Sequence, residues 1–152
     1  MTLRVEVIAG RGAIGGNCVA VFLNDDEYLL LDHGLRFDKY RKYYGLHIQP
    51  LGADELRELG ILPPFEAVAS SKAVLISHLH LDHLGSLDYL DVLEDEGPQA
   101  YLPLRDYYSE VLAERWRYSW KSVLVPHLST SKRRIKSVEE GARFFTPVKV
   151  YH

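Results

Sequence analysis

The chain of 152 residues holds one cysteine, Cys18, and one methionine. A single thiol excludes an internal disulfide and a zinc cage built from several cysteines, so any metal must use His and Asp. No apolar run reaches the roughly 18 to 20 residues of a membrane span, and Met1-Thr-Leu-Arg4 lacks the charged-then-apolar layout of a signal peptide. A cytoplasmic location is the default expectation. There is no internal repeat and no low-complexity stretch. The glycine-rich segment Gly10-Arg-Gly-Ala-Ile-Gly-Gly16 lacks the Gly-Lys-Ser/Thr of a phosphate loop, and the residues after it read as a strand, which argues against a nucleotide site.

What is present is enough for one domain. With 47% hydrophobic residues, a chain of this length buries about two-thirds of its unfolded surface. The formal charge of -3 is unevenly spread: residues 1 to 100 carry 8 Lys+Arg against 16 Asp+Glu, and the rest 10 against 5. Such a split fits one face that meets an anion and another that holds cations, or simply solvated faces of unequal sign.

Leu3 to Ile8 alternates as a strand, the glycines break it, and Asn17 to Leu23 reads as a second strand. Asn24-Asp-Asp-Glu27 supplies turn chemistry before the apolar Tyr28-Leu-Leu-Leu31, which predicts a hairpin leading into Asp32-His-Gly34. Arg36 to Gly52 shows no clear period and predicts a long surface excursion. Ala53 to Leu59 predicts a short helix stopped by Gly60, with Pro63-Pro64 preventing its resumption. Ala73-Val-Leu-Ile76 predicts a strand covered on both faces. Leu84, Leu87 and Leu90 then recur at helical spacing, a longer helix is expected from about Arg105 to Trp120, and Val148 to Tyr151 reads as a last strand. Hairpins first and alternating helices later predict an α/β fold, a mixed sheet flanked by helices.

Between the buried strand and the helix lies His78-Leu-His80-Leu-Asp82-His83. In an extended loop His78 and His80 point to the same side and can reach one metal ion, while Asp82 and His83, where the chain turns into its helix, can face a second. Two ions roughly 3.5 to 4 Å apart can clamp the attacking and leaving oxygens of a displacement. Imidazole and carboxylate donors suit two zinc ions, with manganese as the alternative. A loop that merely contains three histidines is the bland reading, and it leaves each polar group in need of a partner.

This segment resembles the His-x-His-x-Asp-His signature of the metallo-β-lactamase superfamily. Ala13-Ile-Gly-Gly-Asn17, Leu29-Leu-Leu-Asp32-His-Gly-Leu35 and Gly60-Ile-Leu-Pro63 are similar to the opening of ribonuclease J and related β-CASP nucleases. The resemblance implies the αββα sandwich of that superfamily, with residues 1–152 as its N-terminal portion, and a metal-dependent hydrolase that activates water with two zinc ions to cleave RNA. It implies metal ligation by His78, His80, Asp82 and His83, and a supporting role for Asp32 through hydrogen bonds to the metal loop, where the plain alternative is a hairpin-end turn residue. His33 matches no family role. For the third family motif, a His at a strand end, His152 after Val148-Lys-Val-Tyr151 fits better than His127, although a chain-end residue can also be an ordinary frayed one. A bridging Asp and a last His of the family find no counterpart up to position 152, so the chain is expected to correspond to the front half of a catalytic domain, completed by further chain or by a partner; separately, an exposed sheet edge and apolar face would favour a homo-oligomer.

Arg115, Trp116, Arg117, Trp120 and Lys132 to Lys136 could track a nucleic-acid backbone and stack bases, or the tryptophans could be core and the basic run a solvated face. Three further readings stay open: a small-molecule hydrolase of the same fold acting on a thioester, lactone or lactam; a non-catalytic fragment or subunit that binds metal or RNA; and a transfer-RNA processing enzyme, disfavoured because that branch has Gly where Leu81 stands.

Overall fold

The strand signals of the first thirty residues become one meander. In the computed structural model β1 (Val5–Ala9), β2 (Cys18–Phe22) and β3 (Tyr28–Leu31) pair antiparallel in sequence order, and β4 (Ala73–Leu75), β5 (Gln99–Pro103) and β6 (Ile135–Val138) add on in parallel, giving a six-stranded mixed sheet. Residues 3–45, 48–78, 80–86, 98–103 and 135–138 are described, with side chains left aside at 81, 102, 103 and 135–138. The expected helix 105–120, the strand at 148–151, Leu87, Leu90, the aromatic and basic residues from Arg115 to Arg134, His127 and His152 lie outside the described residues.

The β2–β3 hairpin closes on the turn that the sequence predicts. The Asn24 side-chain oxygen accepts from the backbone N–H groups of Asp26 and Glu27 at 3.0 and 2.8 Å, and the Leu23 N–H donates to the Glu27 carbonyl at 2.8 Å. Between Val7 and Ala9 the register shifts by a bulge just before the glycine loop.

This register creates two strand faces. Cys18, Ala20, Leu30, Val74 and Ala100 line one face and are buried together with Val68, Ile76 and Leu84. Each large side chain so buried contributes about 1.5 to 3 kcal/mol. Val5, Val7, Val19, Val21, Leu29, Leu31 and Leu75 share the opposite face, where Val5 is 52%, Val7 54% and Leu31 40% exposed.

Three helices sit between β3 and β4. α1 (Phe37–Tyr43) is a helix within the expected surface excursion, unmarked in the sequence because none of its own residues is fully buried and no apolar stripe results. α2 (Ala53–Glu58) ends as the glycine implies: Gly60 takes φ 62°, its N–H donates to the Arg57 carbonyl at 2.8 Å, and the Ile61 N–H reaches back to the Leu56 carbonyl at 2.8 Å. This pair of bonds is a Schellman cap, and its hydrophobic partners Leu56 and Ile61 are both fully buried. α2 does not resume past the prolines, and a separate helix, α3 (Phe65–Ala69), starts directly after them. Pro64 stands just before it, where a missing N–H costs nothing, so the proline opens this helix, while Gly60 has already ended the one before. Leu35, Tyr44, Leu56, Ile61 and Leu62 form a second, smaller core beside the first. Among the described residues no helix is long and apolar enough to cross a membrane.

Candidate metal centre

β3 and β4 are parallel neighbours, so their carboxyl ends lie side by side, the position where sheets of this kind hold ligands. Asp32 leaves β3 there and Ser77-His78 leaves β4. The Asp32 N–H donates to the Leu75 carbonyl at 2.8 Å and extends the ladder by one bond. Asp32 then turns into the left-handed region at φ 63°, unusual for a residue other than glycine but tolerated by Asp. This turn aims its carboxylate across at the histidine loop.

Asp32 is 9% exposed, so its charge needs partners. Oδ1 accepts from the Ser77 backbone N–H at 2.8 Å, and Oδ2 accepts from Ser77 Oγ at 3.1 Å and from His83 Nδ1 at 2.6 Å. Ser77 Oγ also lies 2.9 Å from His78 Nδ1 and 3.3 Å from His83 Nδ1. Ser77 does not stand out in the sequence. Its one signal is position, directly before the first histidine.

α4 (Leu81–Leu84) is one turn long and carries Asp82 and His83. The His83 and Leu84 N–H groups both donate to the His80 carbonyl at 2.9 Å. The turn is tied down by backbone: the His33 N–H donates to the His83 carbonyl at 2.6 Å, the Ser86 N–H to the His33 carbonyl at 3.0 Å, and Ser86 Oγ to the Gly34 carbonyl at 2.7 Å. His33, for which the sequence suggests no role, is buried and serves this clamp with its main chain. A Cβ on Gly34 would collide with the Asp82 carbonyl, so only glycine lets the two segments approach this closely.

The three imidazoles are gathered. The rings of His78 and His83 have centroids 3.9 Å apart, and those of His78 and His80 4.6 Å apart, edge to face. Asp82 Oδ2 is 3.2 Å from His83 Nε2. Burial first, and then the neighbouring His83 and His80 rings, hold the His78 pKa below the usual imidazole value against the pull of Asp32 and Asp82, which favours the neutral ring a metal requires. By donor chemistry the set fits a zinc-type ion: three imidazoles and a carboxylate, with one imidazole oriented from behind by a second carboxylate. The rings as they stand pack on each other, and among the described residues no three such groups are disposed around one point that could hold an ion.

Asn17 is a second residue that its type alone does not mark. β2 runs antiparallel to β3, so its start lies over the carboxyl end of β3, and Asn17 there donates its N–H to the Asp82 carbonyl at 2.9 Å and accepts from the Gly34 N–H at 3.0 Å. Its side chain faces Asp82 and His83.

The site is thus a His-x-His-x-Asp-His loop at the carboxyl end of a parallel strand of a mixed α/β sheet, backed by an aspartate from the adjacent strand. The chain is similar to ribonuclease J. It is 30% identical over 90 residues to "Ribonuclease J" of Pyrococcus abyssi, covering 58% of this chain and 20% of that protein. It is 35% identical over 94 residues to "Ribonuclease J" of Methanocaldococcus jannaschii, covering 59% and 21% respectively. The chain thus spans about a fifth of the length of these relatives. No protein-family profile matches it. Among solved structures, zinc-bound PqqB from Methylobacterium extorquens aligns with 88% of this chain and 39% of its own, at 16% identity and a TM-score of 0.43.

Proposed function

We propose that residues 1–152 are the N-terminal portion of a metallo-β-lactamase domain, and that the domain is a metal-dependent RNA phosphodiesterase of the ribonuclease J kind. The observation that carries this reading is the bracing of His83 by Asp32 at 2.6 Å within the cluster of His78, His80 and Asp82. A carboxylate behind an imidazole fixes its tautomer and raises its basicity as a ligand, an arrangement that recurs at metal sites. Likeness to two proteins named ribonuclease J supports RNA as the substrate.

His78, His80, Asp82 and His83 would hold the metal, with two zinc ions as the proposed complement, manganese as the alternative, and His152 as a further ligand. Once bound, such ions lower the pKa of water toward about 7 and stabilise charge on a phosphodiester. With a metal bound, Asp32 at 2.6 Å would take the Nδ1 proton of His83 in a hydrogen bond and leave Nε2 for the ion. Ser77 holds His78 by Nδ1 in the same way and leaves its Nε2 for ligation. Asp82, on the first turn of α4, is placed to accept a proton or hold a cation beside His83. A cytoplasmic setting, where RNA is at hand, completes the proposal, as does a second chain or further sequence supplying the remaining ligands.

The test is hydrolysis of single-stranded RNA by the full-length protein with zinc or manganese, and by its His80→Ala variant. Loss of cleavage in the variant is expected, and cleavage that survives the substitution overturns the reading. RNA should also compete with any chromogenic ester that the protein hydrolyses, whereas a small-molecule hydrolase ignores RNA. The chain's one-fifth share of its relatives' length favours one second reading, a metal- or RNA-binding piece without chemistry of its own. Native mass distinguishes this, since a mass well above 17.4 kDa means further chain or a partner.

A further inference from the structure

Half of the positive charge in the first hundred residues sits in one short stretch. Residues 1 to 100 hold 8 Lys+Arg, and four of them, Arg36, Lys39, Arg41 and Lys42, fall within seven positions that contain one acid, Asp38. Tyr40, Tyr43 and Tyr44 are interleaved with them or follow directly. The stretch is α1 with its flanking residues.

The helix sorts these side chains by face. Tyr44 is buried and its ring centroid lies 5.1 Å from that of Tyr40, so these two, four positions apart, look toward the second core. Arg36 is tied to both oxygens of Asp38 at 2.8 and 2.6 Å, and Lys39 Nζ donates to the Leu59 carbonyl at 3.0 Å. Arg41, Lys42 and Tyr43 stand on the outer side, all three exposed, with Lys42 Nζ 5.4 Å from the centroid of the Tyr43 ring. The negative end of the helix dipole accounts for two cations in the last turn, but not for an aromatic ring standing in water beside them. α1 also starts at the candidate metal centre. A Cβ on Gly15 would lie 3.3 Å from Phe37 Cδ2 and 3.5 Å from Asp82 Cβ, so the first residue of α1 and a proposed ligand border the same glycine. From Phe37, Arg41 to Tyr43 lie only about 6 to 9 Å farther along the helix axis.

We propose that α1 is a landing surface for single-stranded RNA, with Arg41 and Lys42 on its phosphates and Tyr43 against a base, one short helix away from the cluster. The inference rests on the reading of the domain as acting on RNA. Cations that neutralise phosphates and a ring on which a base stacks are the two parts of a sequence-tolerant single-strand site. The three are positioning residues: they hold the strand and leave the chemistry to the cluster.

The experiment is binding of a fluorescein-labelled oligouridylate to the full-length protein, followed by anisotropy over a range of salt concentrations with EDTA present so that the strand is not cut. The double variant Arg41→Gln, Lys42→Gln should bind more weakly, and its log–log salt slope should be shallower by about 1.4, the value for two lost phosphate contacts on a single strand. Tyr43→Ala should lose about five- to a hundredfold in affinity with its slope unchanged. Lys72→Gln, at the amino end of β4 and so at the other end of the strand from the histidines, should bind as wild type does. An unchanged slope in the double variant overturns the inference, as does an equal drop in Lys72→Gln, the mark of a diffuse charge effect. Loss in the double variant with none in Tyr43→Ala overturns it too, because that describes a surface for any polyanion, an acidic protein included. A wild type that binds no oligouridylate brings down the RNA reading and this inference with it, whereas a wild type that binds and cuts RNA beside variants that bind equally well removes this inference alone.

Discussion

Asp32 Oδ2 and His83 Nδ1 lie 2.6 Å apart across 51 residues of sequence, and this one contact joins the end of the hairpin to the histidine loop. It is short, largely buried and made by a residue in a left-handed backbone conformation, so the surrounding fold holds it in place.

Asp32→Asn preserves size and removes the charge. An amide can still accept from Ser77 but is a poorer base for the His83 proton. Zinc affinity should fall about 10- to 100-fold, measured by chelator competition, with secondary structure by circular dichroism unchanged. Affinity equal to wild type means that His83 does not depend on Asp32.

Gly34→Ala should be among the most damaging single substitutions outside the cores. The new methyl would strike the Asp82 carbonyl and crowd the Asn17 backbone nitrogen, and neither can give way without breaking the bonds that seat α4. A loss of about 1 to 3 kcal/mol or more is expected in urea unfolding. Glycine at position 45 meets nothing within 4 Å of an added Cβ, and Gly45→Ala serves as the control.

Leu56→Ala tests the second core. Leu56 is fully buried and caps α2 through Ile61, so truncation removes both packing and the hydrophobic half of the helix stop. The expected cost is about 2 to 5 kcal/mol. A midpoint shift in urea with unchanged slope is the readout.

Cys18 should be silent in the native protein. Burial, and then the nearby charge of Asp32, pushes its thiol up from 9.0 to about 12. Native protein at mildly alkaline pH then holds about a thousandfold less thiolate than unfolded chain, and alkylation by iodoacetamide should await denaturation. Because the folded value is the higher, the stability linked to this neutral thiol is whole below 9.0 and drains away as pH rises from there to about 12. Cys18→Ala should flatten that alkaline decline, and a decline of unchanged depth in the variant assigns it to other groups.

Much of the frame is legible in the sequence because it rests on local signals. Alternating residues, the Asn24 turn, Gly60 and the apolar Ala73 to Ile76 run each carry their own physics, and each appears where the sequence puts it. α1 is illegible for the converse reason: it buries no residue completely, so no apolar period marks it. α3 is hidden when Pro64 is read only as a stop, since proline also suits a helix start. β5 and β6 give no signal, since Gln99 to Pro103 ends in a proline and Ile135 to Val138 emerges from a basic run. In the site, the histidines and acids announce themselves by chemistry, whereas Ser77 and Asn17 are common residue types whose importance comes mostly from contacts with residues far along the chain, Asp32 for Ser77 and Asp82 and His83 for Asn17. Only folding makes such contacts visible.

The valines at 5, 7, 19 and 21 have one more consequence. The sheet has apolar side chains on both faces, and on the second of them Val5 and Val7 stay about half exposed to water. At rising concentration this chain should bind a dye such as ANS and drift toward larger species in sedimentation, whereas Val5→Lys together with Val7→Lys, placed on the outermost strand, should keep it dispersed without touching the histidine loop.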